Sequence, residues 1–412
     1  MILGGKILLD NGIVEGYIEV EEGVVKSIRK SLSHGEEVDR DFNRCGHLIL
    51  PGFIDIHTHM RDFEEGYKED FRSGSMAAAA GGVTIFFDMP NTNPRNNTLS
   101  ILRWRDESAG RKSIVDYGII YGVPTKLDEL FGYEELAIAM KVYPNDFIEN
   151  TLDHMSDVLI YNHAKGLVTI FHAEEPRAYM EGDEDLEIEV EWSRYVAEYT
   201  RQIDVETHVT HVTCCEVVDA VKDVNPRATV DATPHHIMLS YDDVDKPYGN
   251  VRPPLRSRGC VECLLRDLVY GRVDMVATDH APHSLEEKEA GAYGFPGLET
   301  AFPILSTLRY NGYITVRDIV RLYSLNPAER FGLDHIVGRI AEGYLANMTV
   351  VDLNSEWRID PNLFHSKARH SPFKGITVRG RVVATYVRGE EVYIDGEVVG
   401  KPGHGENVRR LV

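Results

Sequence analysis

The chain has 412 residues, of which 43% are hydrophobic and 27% charged. That length suggests two to four domains at ~100–200 residues each, although α/β barrels of ~250 residues run as one, and the composition excludes a largely disordered chain. Acidic residues outnumber basic ones 66 to 44, a net charge of −22, which argues against non-specific binding to nucleic acid or an anionic membrane, since both need a basic face.

The amino-terminal segment MILGGKILLDNG lacks a basic start followed by a long apolar core, so no secretion signal is expected. Residues 1 to about 50 alternate short β-like runs with turns (KILLDNG, GYIEVEEG, VVKSIRK, HLILPG), and residues from about 345 to 412 do the same. Asn11-Gly12 and Asp395-Gly396 are hairpin dipeptides. Two β-rich ends around one long middle predict a composite β domain of residues 1–50 and 345–412. No apolar run approaches the ~18 residues that a membrane span needs. The five cysteines (Cys45, Cys214, Cys215, Cys260 and Cys263) read as reduced cytosolic thiols. Cys260-x-x-Cys263 is half of a zinc pattern, but a second Cys-x-x-Cys is missing, so both are expected to be plain helix positions.

Between the ends, eight apolar runs rich in β-branched residues alternate with helix-like stretches: Phe53–Ile56, Val83–Asp88, Val115–Tyr121, Ala139–Tyr143, Val168–Phe171, Val205–Val209, Thr229–Ala232 and Asp274–Ala277. Helices are expected at Asp70–Ala80, Leu186–Arg201, Cys215–Val224 and Gly259–Tyr270. Eight such units predict a (β/α)8 TIM-like barrel over 51–344. A doubly wound sheet is the rival, but no Gly-x-Gly-x-x-Gly follows the first run.

Barrel enzymes carry their reacting groups at the carboxyl ends of strands. Here His57-x-His59 ends the first run, Lys141 lies on the fourth, His172 ends the fifth, His208 and His211 end the sixth, and Asp279 ends the eighth. Each has a plain alternative: a chance His-x-His, a core histidine, a helix cap. Gathered at one mouth, they predict a divalent cation held by nitrogen and oxygen, zinc first. Lys141 fits poorly there as an ammonium. As a neutral amine it can take up carbon dioxide to give an anionic carbamate, which requires its pKa to fall from ~10.4. A solvated or salt-bridged lysine is the alternative.

The segments PGFIDIHTHMRD, YKEDFRSGSMAAAAGGVTIFFDMPNTNP, AMKVY, FHAEE, HVTHVT, ATPHHIMLS, NVRPPLR, ATDHAPHSLEEK and GFPGLET, in that order, resemble class I dihydroorotase, a cyclic amidohydrolase of the amidohydrolase superfamily. The resemblance implies two zinc ions per subunit, bridged by carbamylated Lys141 and a hydroxide. His57, His59 and Asp279 would hold one, and His172 and His211 the other. It prefers His211 over His208, because Val212-Thr213 follows it as in the family. Asp279 would also be the catalytic base and acid. Arg61, Asn91, Arg252 and His283 match the substrate-binding positions, and Pro296-Gly297 would offer backbone contacts. The stretch MRDFEEGYKED departs from the family's Arg-Glu-Pro-Gly turn while keeping the arginine. The activity implied is reversible cyclisation of N-carbamoyl-L-aspartate to (S)-dihydroorotate in cytoplasmic pyrimidine synthesis, on a small-molecule substrate, without nucleic acid or membrane. A homodimer is the assembly carried forward. Allantoinase and hydantoinase are the nearest rival activities, and a non-catalytic homologue is the rival of another class.

Overall fold

The computed structural model describes residues 1–43, 47–245 and 247–412; Cys45 lies outside them. The apolar runs form eight parallel strands: β1 (Phe53–Thr58), β2 (Val83–Asp88), β3 (Asp116–Gly122), β4 (Ala137–Val142), β5 (Val168–Phe171), β6 (Thr207–Val209), β7 (Thr229–Ala232) and β8 (Met275–Val276). Neighbours in sequence are neighbours in the sheet, from β1 to β8 in order. Every residue of β1 to β6 is buried, as befits parallel strands covered on both faces.

Side chains alternate along each strand. Ile54, Ile56, Ile85, Phe87, Ile138 and Ile170 share one interior cluster. Phe53, Phe86, Tyr117, Ile119, Met140 and Phe171 belong to the layer that includes the surrounding helices. This two-residue period is what fills a small barrel. The sheet closes between its first and last members. Thr58 bridges to His280, the His59 N–H donates to the His280 carbonyl at 2.7 Å, and Asp55 Oδ1 accepts from the Thr278 N–H at 3.1 Å. Local signals set the helices: Asp70 caps Phe71–Ala80 by accepting from the Ser73 N–H, and Ser73 returns the bond to the cap backbone.

The two chain ends meet in one nine-stranded mixed sheet. Leu48–Pro51 lies between them, parallel to Ile2–Leu9 and antiparallel to Met348–Arg358. Leu3, Ile7, Ile18, Ile49, Val350 and Tyr386 build a separate apolar cluster there. The expected (β/α)8 barrel and the β-rich partner made from the termini are thus both present. Asp395 and Gly396 (φ 47° and 95°) turn the last hairpin in the left-handed region, as a two-residue loop of that composition does. The first hairpin pairs Leu9 with Gly12, so its loop is Asp10-Asn11, one residue before the expected dipeptide. Past Val398 the chain leaves this sheet. Asn407 bridges to Tyr117 at the start of β3, and Val408 joins the barrel's interior cluster.

Leu48–Pro51 runs into β1 through Gly52 alone, where a Cβ would collide with the Thr84 side chain. The terminal sheet therefore fixes where β1 begins, and so where His57 and His59 arrive. Among the described residues no helix is long and apolar enough to cross a membrane.

Candidate functional site

His57 lies in β1 and His59 one residue past it, so both rings project toward the same rim. Their Nε2 atoms stand 3.2 and 3.0 Å from the same oxygen, Asp279 Oδ1. The other ring nitrogen of each is taken: His57 Nδ1 by Thr210 Oγ1 and His59 Nδ1 by Asn91 Oδ1, both at 2.7 Å. Partners of this kind fix a ring's orientation and leave Nε2 as the free donor. One ligand atom each from His57, His59 and Asp279 lies within 4.8 Å of the others. Two imidazole nitrogens and a carboxylate suit a divalent cation such as zinc.

The second half of the rim is built from β4, β5 and β6. His172 and His211 face each other with ring centroids 4.5 Å apart, and His57 is 5.2 Å from His211. His211 Nδ1 is buried and has no hydrogen-bond partner. Lys141, fully buried on β4, has none for its Nζ either. Burial lowers its pKa to about 7, against a smaller pull upward from Asp279 and Asp231. Burial holds His57 and His211 well below the ordinary histidine range, and the Lys141 charge adds to this in both. A buried amine that can lose its proton near neutral pH, beside imidazoles with open lone pairs, is donor chemistry that suits a metal ion.

His208 is not part of this group. Its ring bonds Asp231 Oδ2 at 2.7 Å and Thr229 Oγ1 at 2.8 Å within the barrel. The other oxygen of Asp231 accepts from the His211 N–H at 2.8 Å, so one carboxylate anchors both histidines of that strand end.

A cavity of about 310 Å³ opens above these residues, with Arg61, Asn91, Tyr143, Tyr179, Arg252 and His283 in its wall. Arg61 Nη2 donates to His283 Nε2 at 3.1 Å, and His283 Nδ1 lies 3.3 Å from Glu287. Burial first, then Arg61 and Lys68, hold the His283 ring near pKa 4, so it faces Arg61 as a neutral acceptor. Arg252 stacks over the Tyr179 ring at 4.3 Å and leaves Nη2 buried without a partner. Its Nε is 3.5 Å from Glu174, which also bonds His172. Burial pushes the Glu174 carboxyl up, but His172 and Arg252 together hold it below its usual range.

Pro296 and Gly297 are not brought to the cavity. The Gly297 N–H donates to His280 Nδ1 at 3.2 Å, and Ala292, Tyr293 and Gly294 form that part of the wall instead. Three residues of the mouth have left-handed backbones, Arg61 (φ 52°), His211 (φ 47°) and Asp279 (φ 48°). This conformation costs a non-glycine residue roughly 1–2 kcal/mol, and such strain gathers where geometry serves function.

Sequence reasoning missed the supports. The fully buried pair Asp88–Arg105 grips the chain on both sides of Arg61: Asp88 Oδ1 accepts from the Met60 N–H at 2.9 Å, and Arg105 Nη1 donates to the Arg61 carbonyl at 3.0 Å. Asp55 ties the His57 N–H to Thr278 and Tyr323. An aspartate inside an otherwise apolar strand, in FID and in FFD, was the available signal. The cysteines also depart from expectation. Cys215 and Cys263 are joined as a disulfide, whereas Cys214 and Cys260 are free and buried.

A sequence model of the amidohydrolase family matches residues 48–392. The chain belongs to the amidohydrolase family. It is 36% identical to a dihydroorotase of Pyrococcus furiosus, over 99% of this chain and 96% of that one. It is 37% identical to a dihydroorotase of Pyrobaculum aerophilum, over 85% of this chain and 89% of that one. Among solved structures, an L-hydantoinase (dihydropyrimidinase) from Arthrobacter aurescens superposes with a TM-score of 0.91 at 26% identity, covering 98% of both chains. Membership makes the chain a hydrolase.

Proposed function

We propose that this amidohydrolase is a cytoplasmic dihydroorotase. It interconverts N-carbamoyl-L-aspartate and (S)-dihydroorotate plus water, a ring-closing step of pyrimidine synthesis. The observation that carries the reading is the pairing of a metal-type donor group with two arginines, the buried Arg61 and the half-buried Arg252, in one small cavity. Dihydroorotate has a carboxylate beside its cyclic amide, and a guanidinium binds carboxylates in fork geometry. The rings of hydantoin and dihydropyrimidine lack that group.

His57, His59 and Asp279 would hold one zinc, and His172 and His211 the second, with carbamylated Lys141 shared. Bound there, the pair supplies Lewis acidity and brings the pKa of water to ~7. Arg61, Asn91 and His283 orient the substrate carboxylate, and Arg252 lines the same cavity. Asn91 accepts from His59 through Oδ1, which leaves its NH2 for substrate. In hydrolysis, water adds to the ring carbonyl as Asp279 takes its proton. The ring C–N bond breaks, and Asp279 returns that proton to the departing nitrogen. In synthesis the same carboxyl works in reverse. The arrangement needs only one proton carrier because water and leaving nitrogen sit on the same carbon.

The discriminating experiment is a parallel assay of the metal-loaded enzyme on dihydroorotate, allantoin and dihydrouracil. Dihydroorotate should be turned over with a kcat/KM at least tenfold above the others. Preference for either of the other two would sink the reading.

A further inference from the structure

A second cluster of ligating side chains lies away from the barrel mouth. Helix α1 (Cys215–Lys222) begins directly after Cys214, and α2 (Arg258–Val269) carries Cys260 and Cys263 one turn apart. The two pairs meet where the helices touch. Cys215 and Cys263 are bonded, with Cα atoms 5.5 Å apart, and the free Cys214 Sγ is 3.6 Å from Cys263 Sγ. Glu216 turns its carboxylate into the group: Oε2 lies 2.7 Å from Cys214 Sγ, 3.3 Å from Cys215 Sγ and 3.9 Å from Cys263 Sγ.

A disulfide accounts for two of these sulfurs and leaves Cys214 and Glu216 without a purpose. Four ligand atoms, one each from Cys214, Cys215, Cys263 and Glu216, lie within 4.8 Å of one another. A tetrahedron with ~2.3 Å zinc–sulfur bonds has edges of ~3.7 Å, close to the 3.6 Å between Cys214 and Cys263. Three soft sulfurs with one carboxylate favour zinc over magnesium or calcium. Cys215 and Cys263 are partly exposed and Glu216 is exposed, so an ion has a way in.

We propose that Cys214, Cys215, Cys263 and Glu216 form a site for one soft divalent cation, zinc in the first place, and that this ion and the Cys215–Cys263 disulfide are alternative fastenings of α1 to α2. The two exclude each other, because the bond consumes two of the three ligand sulfurs. Passage from one to the other is balanced. A dithiol reductant gives two electrons and two protons to the S–S bond and is itself left as a disulfide. The cation then displaces one proton from each of three thiols.

Cobalt(II) reports the site, because thiolate ligands give it an intense near-ultraviolet charge-transfer band that nitrogen and oxygen ligands at the barrel mouth do not. The full chain is prepared under a dithiol, with a thiol count confirming all five cysteines reduced, and is titrated with cobalt. The band should grow to one equivalent per chain and vanish on adding zinc. It should be absent from oxidised protein, and at least tenfold weaker in Cys263→Ser, whose turnover should stay within twofold of wild type. Reduced, folded wild-type protein saturated with cobalt but showing no thiolate band would overturn the proposal. So would a full-strength band in Cys263→Ser.

Discussion

The barrel mouth and the cysteine cluster gather groups able to hold a metal, from opposite materials. At the mouth, five strand ends converge, the donors are nitrogen and oxygen, and the rings of His57, His59 and His172 are held by Thr210, Asn91 and Glu174. At the cluster, two helices supply sulfur, and the ligands come from adjacent turns with one free carboxylate. The difference teaches what each place can do. A borderline cation among imidazoles at the floor of a cavity can polarise a substrate. Sulfurs wedged between two helices, with a carboxylate beside them, are placed to fasten those helices.

The sharpest way to break this contrast is at Asp279. Asp279→Ala should lower kcat by ~10²–10⁴-fold with the circular dichroism spectrum unchanged, the usual cost of losing a general base and acid. Retention of wild-type kcat would remove the proton carrier from the account. Lys141→Ala tests the other half of the mouth. It should lose metal at the mouth and most turnover, and a short carboxylic acid should restore part of both by standing where the carbamate oxygens would. Full metal content without rescue would argue against the carbamate.

Arg105→Met should act on stability. It leaves Asp88 buried without its partner, a loss of about 3–5 kcal/mol by analogy with other broken buried pairs, read as a shift in the denaturation midpoint. Because Arg105 also holds the Arg61 carbonyl, KM for dihydroorotate should rise as well; a KM unchanged would separate the pair from the mouth.

The most gradual effect, spread over several pH units, concerns Lys288. This lysine has no exposed surface, donates to the Ala292 carbonyl at 2.9 Å, and is brought by burial to a pKa of about 7. An unfolded lysine titrates at ~10.4. Between pH 7 and ~10 the unfolded chain therefore binds more protons than the folded one, and stability should rise with pH, by at most ~1.4 kcal/mol per pH unit from this group. The rise in wild-type stability relative to Lys288→Met across that window is the quantity to measure, and parallel pH profiles would refute it.

The mouth was legible in the sequence because each candidate ligand follows an apolar run. His57 and His59 close PGFID, Lys141 sits in AMKVY, and Asp279 ends VDMVAT. Strand period and strand end are local properties, so one segment is enough to place each group. The supports were not legible, because Asp88–Arg105 and Asp231–His211 join residues that meet only once a strand has packed against the next helix or the next strand. Cysteine pairing failed for the same reason. A search for a second Cys-x-x-Cys passes over the adjacent Cys214-Cys215, which meets Cys263 only once two helices have docked. Gly297 was misplaced because its motif fixes where the loop is, not which way its amide points.

The seam between the chain ends bears on how the molecule is made. Leu48–Pro51 has Ile2–Leu9 on one side from the start, but its other edge waits for Met348–Val351. A ribosome must therefore build the whole barrel before that apolar edge finds its mate, and strand edges left open in this way recruit neighbours. Nascent chains halted before Met348 should be the form of this protein most in need of a chaperone.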